Sequence, residues 1–138
     1  MKHLLITTIA ALVLVGCGRQ ELLQWKFEKE FYAAVKNNDR EAVKKAVADS
    51  RIRPYQMQNA LRYAADKGQN EVVKILIASG TDVNSSTYGL TPLMFAVSNG
   101  HKEITKLLIN KGADINTTTR YTKRTFDQGV ETLQFNGK

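Results

Sequence analysis

Leu61-Arg62-Tyr63-Ala64-Ala65-Asp66-Lys67-Gly68-Gln69-Asn70-Glu71-Val72-Val73-Lys74-Ile75-Leu76-Ile77 returns 32 positions later as Leu93-Met94-Phe95-Ala96-Val97-Ser98-Asn99-Gly100-His101-Lys102-Glu103-Ile104-Thr105-Lys106-Leu107-Leu108-Ile109. The correspondence continues through Gly80/Gly112, Asp82/Asp114 and Asn84/Asn116. Each copy holds two apolar runs on either side of a glycine. In the first copy, Leu61, Ala64 and Ala65 precede Gly68, and Val72, Val73, Leu76 and Ile77 follow it; both runs keep helical spacing. Helices this short cannot bury an apolar face alone, so the copies must stack on one another.

Local chemistry agrees with that division. Thr91 can cap orphan amides at a helix start, and Pro92 fits the first helical position, where its missing N–H costs nothing. Gly68 and Gly100 suit a tight turn of positive φ between helices. Glu71 and Glu103 fall early in the second helix, where negative charge suits the helix dipole. Gly80 and Gly112 fit positions that end those helices. Asp82, Asn84, Asp114 and Asn116 are turn formers.

A period near 33 with this content resembles the ankyrin repeat. Thr91-Pro92-Leu93-Met94 is similar to that family's Thr-Pro-Leu-His start of the first helix. Gly100-His101-Lys102-Glu103-Ile104 resembles the link into the second helix. Gly80-Thr81-Asp82-Val83-Asn84 and Gly112-Ala113-Asp114-Ile115-Asn116 resemble the exits into the hairpin loop. The resemblance implies an all-α solenoid of stacked helix-turn-helix units with hairpin-like loops. Repeats are expected over 54–86 and 87–119. Two departures are visible: Arg62 and Met94 stand where the family has histidine, and Asn59-Ala60 replaces Thr-Pro. A less regular hydrogen-bond ladder is expected from them.

The flanks carry weaker copies. Glu41-Ala42-Val43-Lys44 aligns with Glu71-Val72-Val73-Lys74. Asn38 then stands in for the turn glycine, and Asp39 is placed to cap the helix after it. Leu23, Phe27, Phe31, Ala34 and Val35 form an apolar stripe on the preceding helix. Residues 21–50 therefore read as a degenerate N-terminal capping repeat. Arg124-Thr125-Phe126-Asp127 begins like another first helix, and 120–138 reads as a partial C-terminal cap.

At the other end, a basic start of Met1-Lys2-His3 leads into an apolar run from Leu4 to Val15, closed by Leu14-Val15-Gly16-Cys17. The run is too short to span a membrane and fits the apolar core of a secretory signal. Cys17 is the only cysteine, so no internal disulfide is available and the thiol is either free or modified. These residues resemble a bacterial lipoprotein signal peptide with its lipobox; the alternative is an ordinary secretory signal that ends in cysteine. The resemblance implies removal of 1–16 and lipid on Cys17, with 17–20 as a short tether. Gly18, Arg19 and Gln20 span about 10 Å at most, which holds the domain close to a bilayer. Trp25, Lys26 and Lys29 are then candidates for touching the interface, with Trp25 equally a candidate for the core of the cap. Gly18 in place of aspartate resembles outer-membrane sorting. The expected location is the bacterial envelope, facing the periplasm, on the outer rather than the inner membrane.

The chain has 20 basic and 13 acidic residues, a formal charge of +7. Loss of Lys2 with the signal would leave +6, which favours anionic lipid or an acidic partner. Nucleic acid is not expected for an exported, anchored domain. Catalysis is not expected either. On the lipoprotein resemblance, His3 would leave with the signal and Cys17 would be acylated, and His101 occupies a structural position of the repeat. No Cys/His spacing suits a metal and no glycine-rich loop suits a phosphate, so neither metal nor cofactor is expected.

Ankyrin repeats typically bind through hairpin tips and the concave face of their first helices. By position, this selects Tyr55, Gln56, Asp66 and Lys67 in one repeat. It selects Thr87, Tyr88, Leu90, Ser98 and Asn99 in the next, and Arg120, Tyr121 and Arg124 in the cap. Tyr55, Tyr88 and Tyr121 are 33 residues apart in turn and could form a ladder along one edge; the alternative is that the rings pack on neighbouring loops. Arg51, Arg53, Arg120, Lys123 and Arg124 would make that edge basic. The expected function is non-catalytic binding of a protein by a monomer. An inhibitor or immunity-type role, or a structural envelope protein associating with anionic lipid or cell wall, are the other readings.

Overall fold

The structure, a computed structural model, describes residues 17–117. The signal segment 1–16 and the C-terminal cap 120–138 lie outside the described residues. Six helices follow one another: α1 (Cys17–Lys36), α2 (Arg40–Val47), α3 (Pro54–Lys67), α4 (Asn70–Ala78), α5 (Pro92–Ser98) and α6 (Lys102–Asn110). The odd-numbered helices pack in succession as an inner layer and the even-numbered ones as an outer layer, with each consecutive pair folded back on itself. This is the stacked helix-turn-helix solenoid expected from the repeat.

One core runs between the layers. Phe31, Val35 and Val43 fill it at the first pair, Leu61, Val72, Val73 and Leu76 at the second, and Leu93, Ile104 and Leu108 at the third. Ala60, Ala64, Ala65 and Ala96 are buried as well. Their short side chains let the inner helices approach closely, which explains why alanine repeats at the same register. Gln69 is buried, and its Nε2 donates to the Val35 carbonyl at 2.9 Å. That bond adds a second donor to a last-turn carbonyl of α1 that also accepts the Asn38 N–H at 3.1 Å.

Helix ends follow one rule. At the ends of α1, α3, α4, α5 and α6 a residue of positive φ lets the next N–H reach back five residues. The bonds are Asp39 to Ala34, Gln69 to Ala64, Thr81 to Leu76, His101 to Ala96 and Ala113 to Leu108. This is the Schellman closure. Asn38 takes φ 55° where the other turns use glycine. Helix starts also match: Asp39 Oδ1 accepts from the Ala42 amide at 3.0 Å, and Thr91 Oγ1 from the Met94 amide at 3.4 Å.

The two loops leaving α4 and α6 are joined by one side chain. Asp82 and Asp114 each accept an amide two residues on, from Asn84 and Asn116. Asn84 Nδ2 then donates to the Gly112 carbonyl at 3.0 Å, and its Oδ1 accepts the Asp114 amide at 2.7 Å.

Three local expectations are corrected. Gly18, Arg19 and Gln20 are not an extended tether; with Cys17 they form the first turn of α1. Leu23 does not belong to the buried stripe, being 51 % exposed, because α1 overhangs the stack before Phe27. Asn59-Ala60 is not a helix start: α3 begins about one and a half turns earlier, at Pro54. There, Gln56 Oε1 accepts the Arg53 N–H at 2.8 Å, which starts the helix in place of a capping hydroxyl.

Candidate binding face

The chain between α4 and α5 makes a two-residue hairpin. Thr87 and Leu90 exchange both backbone hydrogen bonds, each at 3.1 Å. The tip residues Tyr88 and Gly89 have φ of 56° and 80°. Two positive φ values in succession are what a type I′ turn requires. Glycine accepts that geometry freely, but tyrosine does so at a cost. The Tyr88 side chain is 83 % exposed, so packing does not offset that cost. Thr87 and Leu90 are half-buried and form the neck of the hairpin.

At the other end of α5 from the hairpin, the C-terminal ends of α3 and α5 carry a polar knot. Asp66 Oδ2 pairs with Lys67 Nζ at 2.9 Å, and its Oδ1 accepts from Asn99 Nδ2 at 3.0 Å. His101 Nε2 donates to the Asp66 carbonyl at 3.0 Å, with its ring against Gly68. The hydrogen bond and charge of Asp66 raise the Lys67 pKa. Lys67 also stands 5.9 Å from the Tyr63 ring centre, and the Arg62 guanidinium 5.6 Å from that of Phe95. Asp66 and Lys67 therefore neutralise each other, while Ser98, Asn99 and Lys67 remain exposed to a partner.

The remaining predicted residues divide. Tyr55 and Gln56 are not at a hairpin tip; both lie in the first turn of α3. Tyr55 is exposed and its hydroxyl donates to Glu28 Oε1 at 3.3 Å. Gln56 is fully buried and cannot meet a partner. The evenly spaced Tyr55 and Tyr88 thus occupy a helix and a turn. Arg120, Tyr121 and Arg124 lie outside the described residues, as does the side chain of Cys17. Arg51 does not add free positive charge: Asp49 holds it at 2.7 Å. The Arg51 hydrogen bonds, first from its side chain and then from its backbone, lower the Asp49 pKa to about 2. The Arg51 guanidinium also covers the Phe27 ring at 4.4 Å.

The inner layer adds residues not selected from sequence. Tyr32, Lys36, Asn59, Arg62 and Tyr63 line a shallow depression between α1 and α3. Burial raises the Tyr32 pKa, partly opposed by a hydrogen bond to Asn59. Tyr63 and Phe95 hold the same place in the two repeats, so the alignment contained this signal. Among the described residues, no group of three or more His, Cys, Asp or Glu side chains is placed to hold a metal ion. No helix there is long and apolar enough to cross a membrane.

The family model for ankyrin repeats, in three copies, matches residues 31–119. No curated protein matches the chain.

Proposed function

We propose that this chain, which belongs to the ankyrin-repeat family, is a lipid-anchored module that binds another protein in a bacterial envelope. Ankyrin repeats typically mediate protein–protein interaction and are generally non-catalytic. The finer reading adds the anchor on Cys17, a periplasm-facing position on the outer membrane, and a partner of acidic character. The Leu14-Val15-Gly16-Cys17 motif and the excess of basic residues support these additions.

The observation that carries the binding surface is Tyr88. A large side chain stands in a backbone conformation that disfavours it and gains little from the fold in return. Strain at an exposed aromatic points to use in recognition. Asn99, Ser98 and Lys67, exposed at the C-terminal ends of α3 and α5, extend the contact along the inner layer.

The test is cross-linking of the full chain in a Gram-negative host, beside Tyr88→Asn and Cys17→Ser. One protein captured by the parent, and lost by about 30-fold with Tyr88→Asn, is the expected result for a central aromatic contact. Equal capture by both removes the hairpin from the binding surface. Membrane retention of Cys17→Ser in full would overturn the anchor.

A further inference from the structure

The helix α1 carries apolar residues on two sides. Phe27, Phe31, Ala34 and Val35 face the stack and are buried. Leu22 and Trp25, on the other side, are 51 % and 58 % exposed, in the part of the helix that overhangs the repeats. At 3.6 residues per turn, Arg19, Leu22, Trp25, Lys26 and Lys29 share one sector about 120° wide. Glu21, Glu28 and Glu30 fall outside that sector. Lys29 Nζ lies 5.1 Å from the Trp25 ring centre. Lys26 is only loosely held by Glu30, at 4.0 Å. Because α1 starts at Cys17, Trp25 is about 12 Å along a rigid rod from the anchor point.

Resting on the acylation of Cys17 proposed above, we infer that this outer face of α1 is a seat on an anionic lipid surface. Leu22 and Trp25 enter the boundary between headgroups and acyl chains, where an indole ring is favoured. Arg19, Lys26 and Lys29 meet lipid phosphates, each worth about fivefold in affinity for an anionic surface. Two lipid-directed signals on one helix give a stable seat where one gives a weak one. A protein occupant is less well matched, because the face adjoins the anchor with no slack between them.

Trp25 is the only tryptophan in the chain, so its fluorescence reports this face alone. The full chain is reconstituted into phosphatidylethanolamine–phosphatidylglycerol vesicles, some carrying shallow brominated acyl chains. The expected result is that protein floats with the vesicles and Trp25 is quenched by bromolipid but shielded from aqueous iodide. Lys26→Glu/Lys29→Glu should still float yet lose bromolipid quenching, since the two lysines together are worth about 25-fold in affinity for the surface. Flotation with Trp25 open to iodide and untouched by bromolipid overturns the seat and leaves the anchor standing. Failure to float overturns both. Equal quenching in neutral phosphatidylcholine vesicles overturns the role of the lysines.

Discussion

Replacing Tyr88 with asparagine separates binding from stability. At φ 56° the tyrosine occupies the left-handed region, a cost of about 1–2 kcal/mol for an ordinary side chain. Asparagine before glycine is the favoured pair for this turn. Against that gain stands lost ring contact. With 83 % of the side chain exposed, on the order of 35 Å² of a tyrosine remains buried, about 1 kcal/mol at most. Tyr88→Asn should therefore leave the domain unchanged or more stable, by about 0–1 kcal/mol, raising Tm by up to about 6 °C. Thermal and urea unfolding followed by far-ultraviolet circular dichroism would measure this, beside partner capture on the same preparations. A loss of more than about 1 kcal/mol would refute the reasoning, because the ring would then be holding the hairpin together. A stabilised variant that no longer captures the partner would show strain retained for recognition.

Gly68→Ala puts a Cβ 2.7 Å from His101 Cε1 at φ 71°, and should lower stability by about 2 kcal/mol or more in urea. Adding His101→Ala should restore only the clash component, so full rescue would contradict the backbone argument. Gln69→Met removes one of the two donors to the Val35 carbonyl and leaves the Asn38 amide at 3.1 Å, so it should lose about 0.5–1.5 kcal/mol; a loss of more than about 3 kcal/mol in urea would mean that the Gln69 amide alone holds that helix end. Asp49 has a lowered pKa, so its contribution is complete above the ordinary carboxylate range near pH 4 and is lost as pH falls through about 2. Carboxyl NMR should place its midpoint there, and Arg51→Ala should raise it toward the ordinary range without reaching it, because the backbone N–H of residue 51 still donates to Asp49.

Much of the fold was legible because the stack uses residues with few alternative roles. Thr91, Pro92, Asp39, Gly68 and even Asn38 do in space what their chemistry suggests. The start of α3 was not legible, because the repeat register pointed to Asn59-Ala60 while a local signal lay at Pro54 and Gln56. Here a proline and a side-chain cap outweigh periodicity. Helical spacing placed Leu23 on the right stripe but could not show where the helix leaves the stack. Placing the first helix after Gln20 made Gly18, Arg19 and Gln20 a tether, yet Arg19, Gln20 and Glu21 are good helix formers with no stop signal between them. The polar knot at Asp66 was half visible: Asp66 and Asn99 were selected separately, but only the stacking brings them together. A tyrosine at positive φ is not something composition would suggest, since propensity argues against it.

The Asn84 side chain grips the next loop with both ends of its amide. In a linear array, the strength of each seam decides how far melting travels before it stops. A seam held by a donor and an acceptor together ties α3–α4 and α5–α6 into one cooperative block. The third helical pair should therefore not fray ahead of the second. Slow hydrogen exchange in α6 would then report the opening of α4 as well.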